Sequence, residues 1–234
     1  MRSARHRLRI LALLVIAIVL LGSVTGEAHG VSGFDALFLQ GMTGAAIGPL
    51  MYLGAKHMVT GYDHLAFLVG VIFFLYRVKD VVLYVSLFTI GHSITLLGGV
   101  LGGIQANPYL VDAVIGLSVV YKAMDNMEVF PRFLGVRPDP RAAVLLFGLF
   151  HGFGLATKLQ AFTLPASGLV ANIVSFNVGV EIGQCVALTL VLAALTVWRT
   201  RPGYVTHAFA TNSALMCGGF LLVGYQLSGY VLEF

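Results

Sequence analysis

Apolar residues run along this chain in long blocks, separated by short polar or glycine-rich stretches, with no sustained apolar/polar alternation inside a block. Six blocks stand out, at about residues 62–76, 81–102, 110–127, 142–158, 169–198 and 207–232. Most approach the 20 residues that a helix needs to cross about 30 Å of hydrocarbon. The pattern predicts an all-α, polytopic membrane helix bundle. It has six transmembrane helices if an N-terminal apolar segment is removed and seven if it is retained. Residues 34–61 are too interrupted by Gly and Pro to read as a crossing and are expected at the membrane surface.

The N-terminal segment has the order of a secretory signal: Arg2, Arg5, Arg7 and Arg9, an apolar stretch at 10–24, then small residues at Gly26 and Ala28. Cleavage after Ala28 leaves His29 as the new N-terminus, and an uncleaved anchor helix is the alternative. The expected organisation is a signal peptide at 1–28, an extracytoplasmic interfacial segment at 29–61 and a six-helix transmembrane domain at 62–234.

Composition strengthens the membrane reading. The 234 residues are 58% hydrophobic and only 10% charged, with a mean hydropathy of +0.91; soluble domains carry about 25% charged residues. The net charge of +4 is no sign of nucleic-acid binding, because the basic residues cluster between apolar blocks. Arg77 and Lys79, then Arg132, Arg137 and Arg141, then Arg199 and Arg201 all fall on one side, which marks that side as cytoplasmic. The chain is expected in a bacterial cytoplasmic membrane, with lipid bilayer around it and both mature termini extracytoplasmic. Cys185 and Cys217 are widely spaced and sit in apolar blocks, which argues against thiolate metal sites and disulfide frameworks.

Ionisable residues inside membrane blocks mark function, because burying them is expensive. Five of the seven histidines, His29, His57, His64, His92 and His151, map to the outer side or mid-membrane. The first motif, His57-Met-Val-Thr-Gly-Tyr-Asp63-His64, places two imidazoles and a carboxylate at the mouth of the first span, with Gly61 allowing a turn between them. Asp63 also suits a helix N-cap, but capping leaves two neighbouring histidines unexplained. His92 and His151 lie near the middle of two spans, each beside glycine. Asn177, Glu181 and Gln184 share one helical face, which is expected to point into the bundle. Lys122 and Asp125 are spaced to neutralise each other. A short repeat, Phe88-Thr-Ile-Gly-His92 and Phe147-Gly-Leu-Phe-His151, recurs in spans of the same direction. His57, Asp63, His64, His92, His151 and Glu181 are therefore expected to converge on one divalent transition-metal site in the outer half of the bundle. Histidine and carboxylate ligands without thiolate suit Ni²⁺, Zn²⁺, Co²⁺ or Fe²⁺ better than Cu⁺.

These stretches resemble the HupE/UreJ family of hydrogenase and urease accessory membrane proteins. The matching residues run from Gly54-Ala-Lys-His57 through Asp63-His64-Leu, Phe88 to Leu96, Val111-Asp112, Phe147 to Gly152, and Phe176-Asn177-Val-Gly-Val-Glu181-Ile-Gly-Gln184. The resemblance implies nickel or related metal uptake. Two departures, Phe153-Gly154-Leu-Ala in place of a second His-Gly-x-Glu and Lys122 in place of an apolar residue, put the chain in the broader second branch. Three functions follow. The chain is a metal permease or diffusion facilitator, with nickel or zinc the favoured ion. It is a membrane-embedded zinc-type metallohydrolase with Glu181 as general base. Or it is a non-transporting accessory protein, acting as a homo-oligomer or with metalloenzyme-maturation partners.

Overall fold

The computed structural model describes residues 44–160 and 167–232. Residues 1–43, which include the signal segment and His29, and residues 161–166 and 233–234 lie outside the described residues. The described chain is helical throughout: α1 Ile47–Thr60, α2 Tyr62–Ile72, α3 Val78–Leu101, α4 Pro108–Asn126, a π-helical turn Phe130–Leu134, α5 Pro140–Gln160, α6 Leu169–Arg199 and α7 Tyr204–Leu232. Asn107 starts α4 by accepting a hydrogen bond from the Leu110 amide, with Pro108 at the first helical position.

Four helices, α3, α5, α6 and α7, are long and apolar enough to cross a membrane. Helices α2 and α4 fall short of that measure for different reasons. Helix α2 has only 11 residues, about 16 Å at 1.5 Å per residue. Helix α4 carries Asp112, Lys122 and Asp125.

The reason α2 is short lies next to it. Gly61 adopts an extended conformation (φ −70°, ψ 100°) between α1 and α2 and interrupts what would otherwise be one helix. The two pieces together flank α6 along nearly its whole length. At one end the Asn172 side chain accepts from the Ala46 amide at 2.8 Å. At the other, Arg199 donates to the carbonyls of Ile72 and Phe73 at 2.6 and 2.7 Å, and the Tyr204 hydroxyl also donates to Phe73. These bonds satisfy the carbonyls at the end of α2, which have no intrahelical partner.

Three helix pairs form the body of the bundle: α3 with α5, α1 with α6 and α4 with α7. Each is glycine-lined. Gly148 and Gly152 of α5 lie against the carbonyls of Phe88 and His92. Gly179 and Gly183 of α6 lie against the carbonyls of Met51 and Ala55, and Gly54 of α1 against that of Phe176. Gly116 and Gly219 meet across α4 and α7. Such small residues let backbones approach closely in an apolar setting. Gly99 meets Ala156 of α5, and Gly98 faces open space. Opposed residues rise together along α3/α5 and α1/α6, so those pairs are parallel, while α3 runs antiparallel to α6 through Thr89–Gln184 and Ser93–Asn177. The basic clusters after α2, α4 and α6 consequently gather at one end of the bundle. Cys185 and Cys217 are free and exposed.

Candidate metal centre

The middle of the bundle holds an unusual density of buried imidazole. Asp63 is fully buried, and His64, His92 and His151 are each no more than 2% exposed. His64 stands at the centre. Its ring centroid is 5.0 Å from that of His57, 5.0 Å from that of His151 and 6.3 Å from that of His92. Each arrives on a different element. His57 comes from the last turn of α1 and Asp63 and His64 from the first turn of α2, so the break at Gly61 folds the two halves of the motif onto each other. A Cβ at residue 61 would stand 3.0 Å from Nδ1 of His64 and 3.3 Å from Oδ1 of Asp63. Only glycine leaves that room. His92 and His151 come from the parallel pair α3/α5, near the middle of each helix.

The hydrogen bonds orient the rings. Nδ1 of His151 donates to the carbonyl of Phe147 at 2.7 Å. A carbonyl only accepts, so this assigns the proton to Nδ1 and leaves Nε2 with its lone pair. That Nε2 and the Nε2 of His92 are buried and have no hydrogen-bond partner. Asp63 Oδ1 accepts from Nδ1 of His64 at 3.1 Å, the carboxylate–imidazole arrangement that fixes the tautomer of a metal-binding histidine. One ligand atom from each of Asp63, His64 and His151 lies within 4.8 Å of the other two. A buried carboxylate, imidazoles with unprotonated nitrogens and no thiol fit a divalent transition ion.

Aromatic side chains wall the group. Phe88 lies 4.9 Å from His151 and 6.1 Å from His92, Phe67 lies 5.4 Å from His151, and Phe176 lies 6.3 Å from His57. The sequence carries a signal for part of this wall. Phe88 precedes His92 by four residues as Phe147 precedes His151, so the short repeat sets the same aromatic–imidazole step on two parallel helices.

Glu181 stands apart. It is exposed on α6 and accepts from Nδ2 of Asn177 at 3.3 Å. Asn177 and Gln184 are buried as expected of an inward face, and Gln184 lines a cavity with His64, whereas Glu181 sits at the exposed edge of that face. Gly179 and Gly183 commit one side of α6 to α1, and the polar face, about 140–200° around the helix from Gly179, meets α3 at an edge. There Ser93 and Asn177 hydrogen-bond at 2.9 Å, and Thr89 donates to Gln184 at 2.8 Å. Elsewhere, Lys122 and Asp125 pair at 2.5 Å as expected, and Lys158 pairs with Asp112 at 2.7 Å. The second pair was not anticipated, because its members are 46 residues apart.

A family model described as "HupE / UreJ protein" matches residues 33–234. No curated protein and no solved structure matches the chain.

Proposed function

The chain belongs to the HupE/UreJ family, and from that premise we propose that it is a membrane permease or diffusion facilitator for a divalent transition metal, nickel or a close relative. The observation that carries this reading is the convergence of His57, Asp63, His64, His92 and His151 at a helix break in the middle of an apolar bundle. Interrupted helices at mid-membrane recur in transporters, where irregular backbone is tolerated because it lines a binding site. On this reading α1 and α2 form one broken span, the six spans alternate in direction, and the basic end faces the cytoplasm. The cation is cargo, held by neutral imidazoles and the Asp63 carboxylate. Several ligands of similar strength, rather than one closed cage, allow it to leave as well as enter.

The test is nickel uptake into proteoliposomes. Wild type should accumulate Ni²⁺ above empty vesicles, and His64→Ala should lower the initial rate at least tenfold. Equal rates for protein-containing and empty vesicles would sink the proposal.

A second reading, a membrane-embedded zinc metallohydrolase, draws on a cavity beside the same group. It is lined by His64 and Gln184 together with apolar side chains that include Met58, Phe67, Leu68, Val71 and Phe88. Zinc-dependent hydrolysis of a lipid ester without vesicle accumulation would favour it.

A further inference from the structure

Among the described residues, two lysine–carboxylate pairs lie inside the bundle, and both use α4. Lys122 and Asp125 share that one helix, towards the basic end. Lys158 and Asp112 join α5 to α4, towards the opposite end. Two contacts fix the depth of the second pair. The Ala106 amide, just before α4, donates to the Thr157 hydroxyl of α5. Further along α4, Oδ1 of Asp112 lies 3.5 Å from where a Cβ on Gly154 would stand. Helix α4 thus descends beside α5, and Asp112 is level with Gly154. That level is about 9 Å from the Gln160 end of α5 and about 4.5 Å from His151 at 1.5 Å per residue. Asp112 is likewise about 6 Å from the Pro108 end of α4. The pair therefore stands in the outer turns of both helices, between the helix ends and the buried imidazoles.

Stability alone does not account for this pair. The Asp112 side chain is 6% exposed and that of Lys158 17%, and an ion pair so buried gains little over apolar side chains of the same volume. Its geometry is also unusual. A lysine in the last turn of a spanning helix ordinarily extends its ammonium outward to water. Lys158 turns back along α5 instead, and its Nζ donates to Oδ2 of Asp112 at 2.7 Å. The ammonium thereby occupies a position on the carboxylate that another cation would take. It has somewhere else to go, because Lys158 is about 3 Å from the end of α5. Rotation of its side chain carries Nζ to water without moving a helix. The spacing of three and four residues puts His151, Gly154 and Lys158 on one face of α5, and Gly154 presents no side chain to the carboxylate.

We propose that Asp112 is a separate, outer station for the divalent cation, and that the Lys158 ammonium is the counter-ion the arriving cation displaces. This rests on the buried group being the cargo site. In the empty protein Lys158 neutralises Asp112, which removes the cost of an unpaired carboxylate at that depth. A cation arriving from the outer end takes the carboxylate, Lys158 swings outward, and the ion then lies about one helical turn above His151 along α5. The two members of the pair therefore act on the cation with opposite sign: the carboxylate attracts it and the ammonium competes with it.

The experiment measures initial Co²⁺ uptake into right-side-out membrane vesicles, so that the metal meets the outer face first, with the equilibrium Co²⁺ content of the purified full-length proteins in parallel. Asp112→Asn should slow uptake at least fivefold and keep at least half of the wild-type Co²⁺ content. Lys158→Met should quicken uptake at least twofold at sub-saturating Co²⁺. Lys158→Arg should slow it, because a guanidinium grips a carboxylate in a bidentate fork. The double variant Asp112→Asn/Lys158→Met should be as slow as Asp112→Asn alone. Should Lys158→Met fail to fold, Lys158→Arg and the double variant, which leave no unpaired charge, decide the question. If Lys158→Arg and the double variant both take up Co²⁺ as wild type does, the pair is structural and the station is refuted. If Asp112→Asn takes up Co²⁺ at the wild-type rate, the station is refuted while the buried site stands. If Asp112→Asn loses as much Co²⁺ content as His64→Ala, Asp112 is a ligand of the buried group and no separate station exists. If wild-type vesicles take up no more Co²⁺ than vesicles lacking the protein, the permease reading fails and the station with it.

Discussion

Helix α3 has two faces that touch neighbours in opposite ways. Against α5, glycines let backbone meet backbone: Gly91 faces the Leu145 carbonyl, Gly148 the Phe88 carbonyl and Gly152 the His92 carbonyl. Against α6, the contact is a ladder of Thr89 with Gln184 and Ser93 with Asn177. The first interface has no room to change and places His92 and His151 side by side with fixed spacing. The second is made of side-chain hydrogen bonds, which in a membrane average about 0.6 kcal/mol each. A bundle built this way is rigid where His92 and His151 stand side by side and yielding along the α3/α6 seam.

The sharpest way to break this contrast is to fill the rigid interface. The first atom of a side chain at residue 148 would overlap the Phe88 carbonyl, so Gly148→Leu should cost on the order of 3 kcal/mol or more. The expected outcome is loss of monodisperse protein on detergent extraction. Gly98→Leu is the control: nothing lies within 4 Å of its added carbon, and its melting temperature should stay within about 2 °C of wild type. A well-behaved Gly148→Leu protein would show that the interface is not close-packed.

The next effect concerns the ligands that the rigid pair and the helix break bring together. His64 neighbours His57, His92 and His151 at once. His64→Ala should lower retained metal at least tenfold, about 1.4 kcal/mol or more in binding, while the protein elutes as wild type. His92→Ala should do the same to a lesser degree. Unchanged metal content in His64→Ala would remove the centre from consideration.

Acidity provides a milder probe. Metal binds the neutral imidazole, so protons compete with it. Binding therefore weakens as pH falls. Metal loaded at pH 7.5 should be released progressively on acidification and rebound on return. Retention undiminished at pH 5 would point to carboxylate rather than imidazole ligation.

The smallest effect belongs to the yielding seam. Thr89→Val deletes one of its hydrogen bonds while keeping the shape, and should shift stability by about 0.6 kcal/mol, measured as a melting shift of a degree or two. A loss as large as that of Gly148→Leu would mean the two faces of α3 are equally structural.

Much of the centre is legible in the sequence. Histidines and carboxylates are costly in apolar blocks, so His57, Asp63, His64, His92 and His151 announce themselves by residue type and depth alone. Lys122 and Asp125 pair as their spacing predicts, since three residues of helix bring two side chains together wherever the helix lies. Glu181 was harder. Helical periodicity shows that it shares a face with Asn177 and Gln184 but not which neighbour that face meets. That depended on Gly179 and Gly183 claiming the opposite side for α1.

The long apolar blocks, the basic residues between them and the membership in a metal-associated membrane family are properties of the sequence by itself, because hydropathy and charge act locally along the chain. The sequence also marks Gly61 as a possible turn. Only tertiary structure decided that the turn is a break within a helix that continues on both sides, running beside α6 from Asn172 to Arg199. The same is true of the Lys158–Asp112 pair and of the two unequal faces of α3. Each depends on which helix lies beside which, and that choice is made by close backbone contact at glycines, whose partners lie dozens of residues away and leave no periodic trace in the chain.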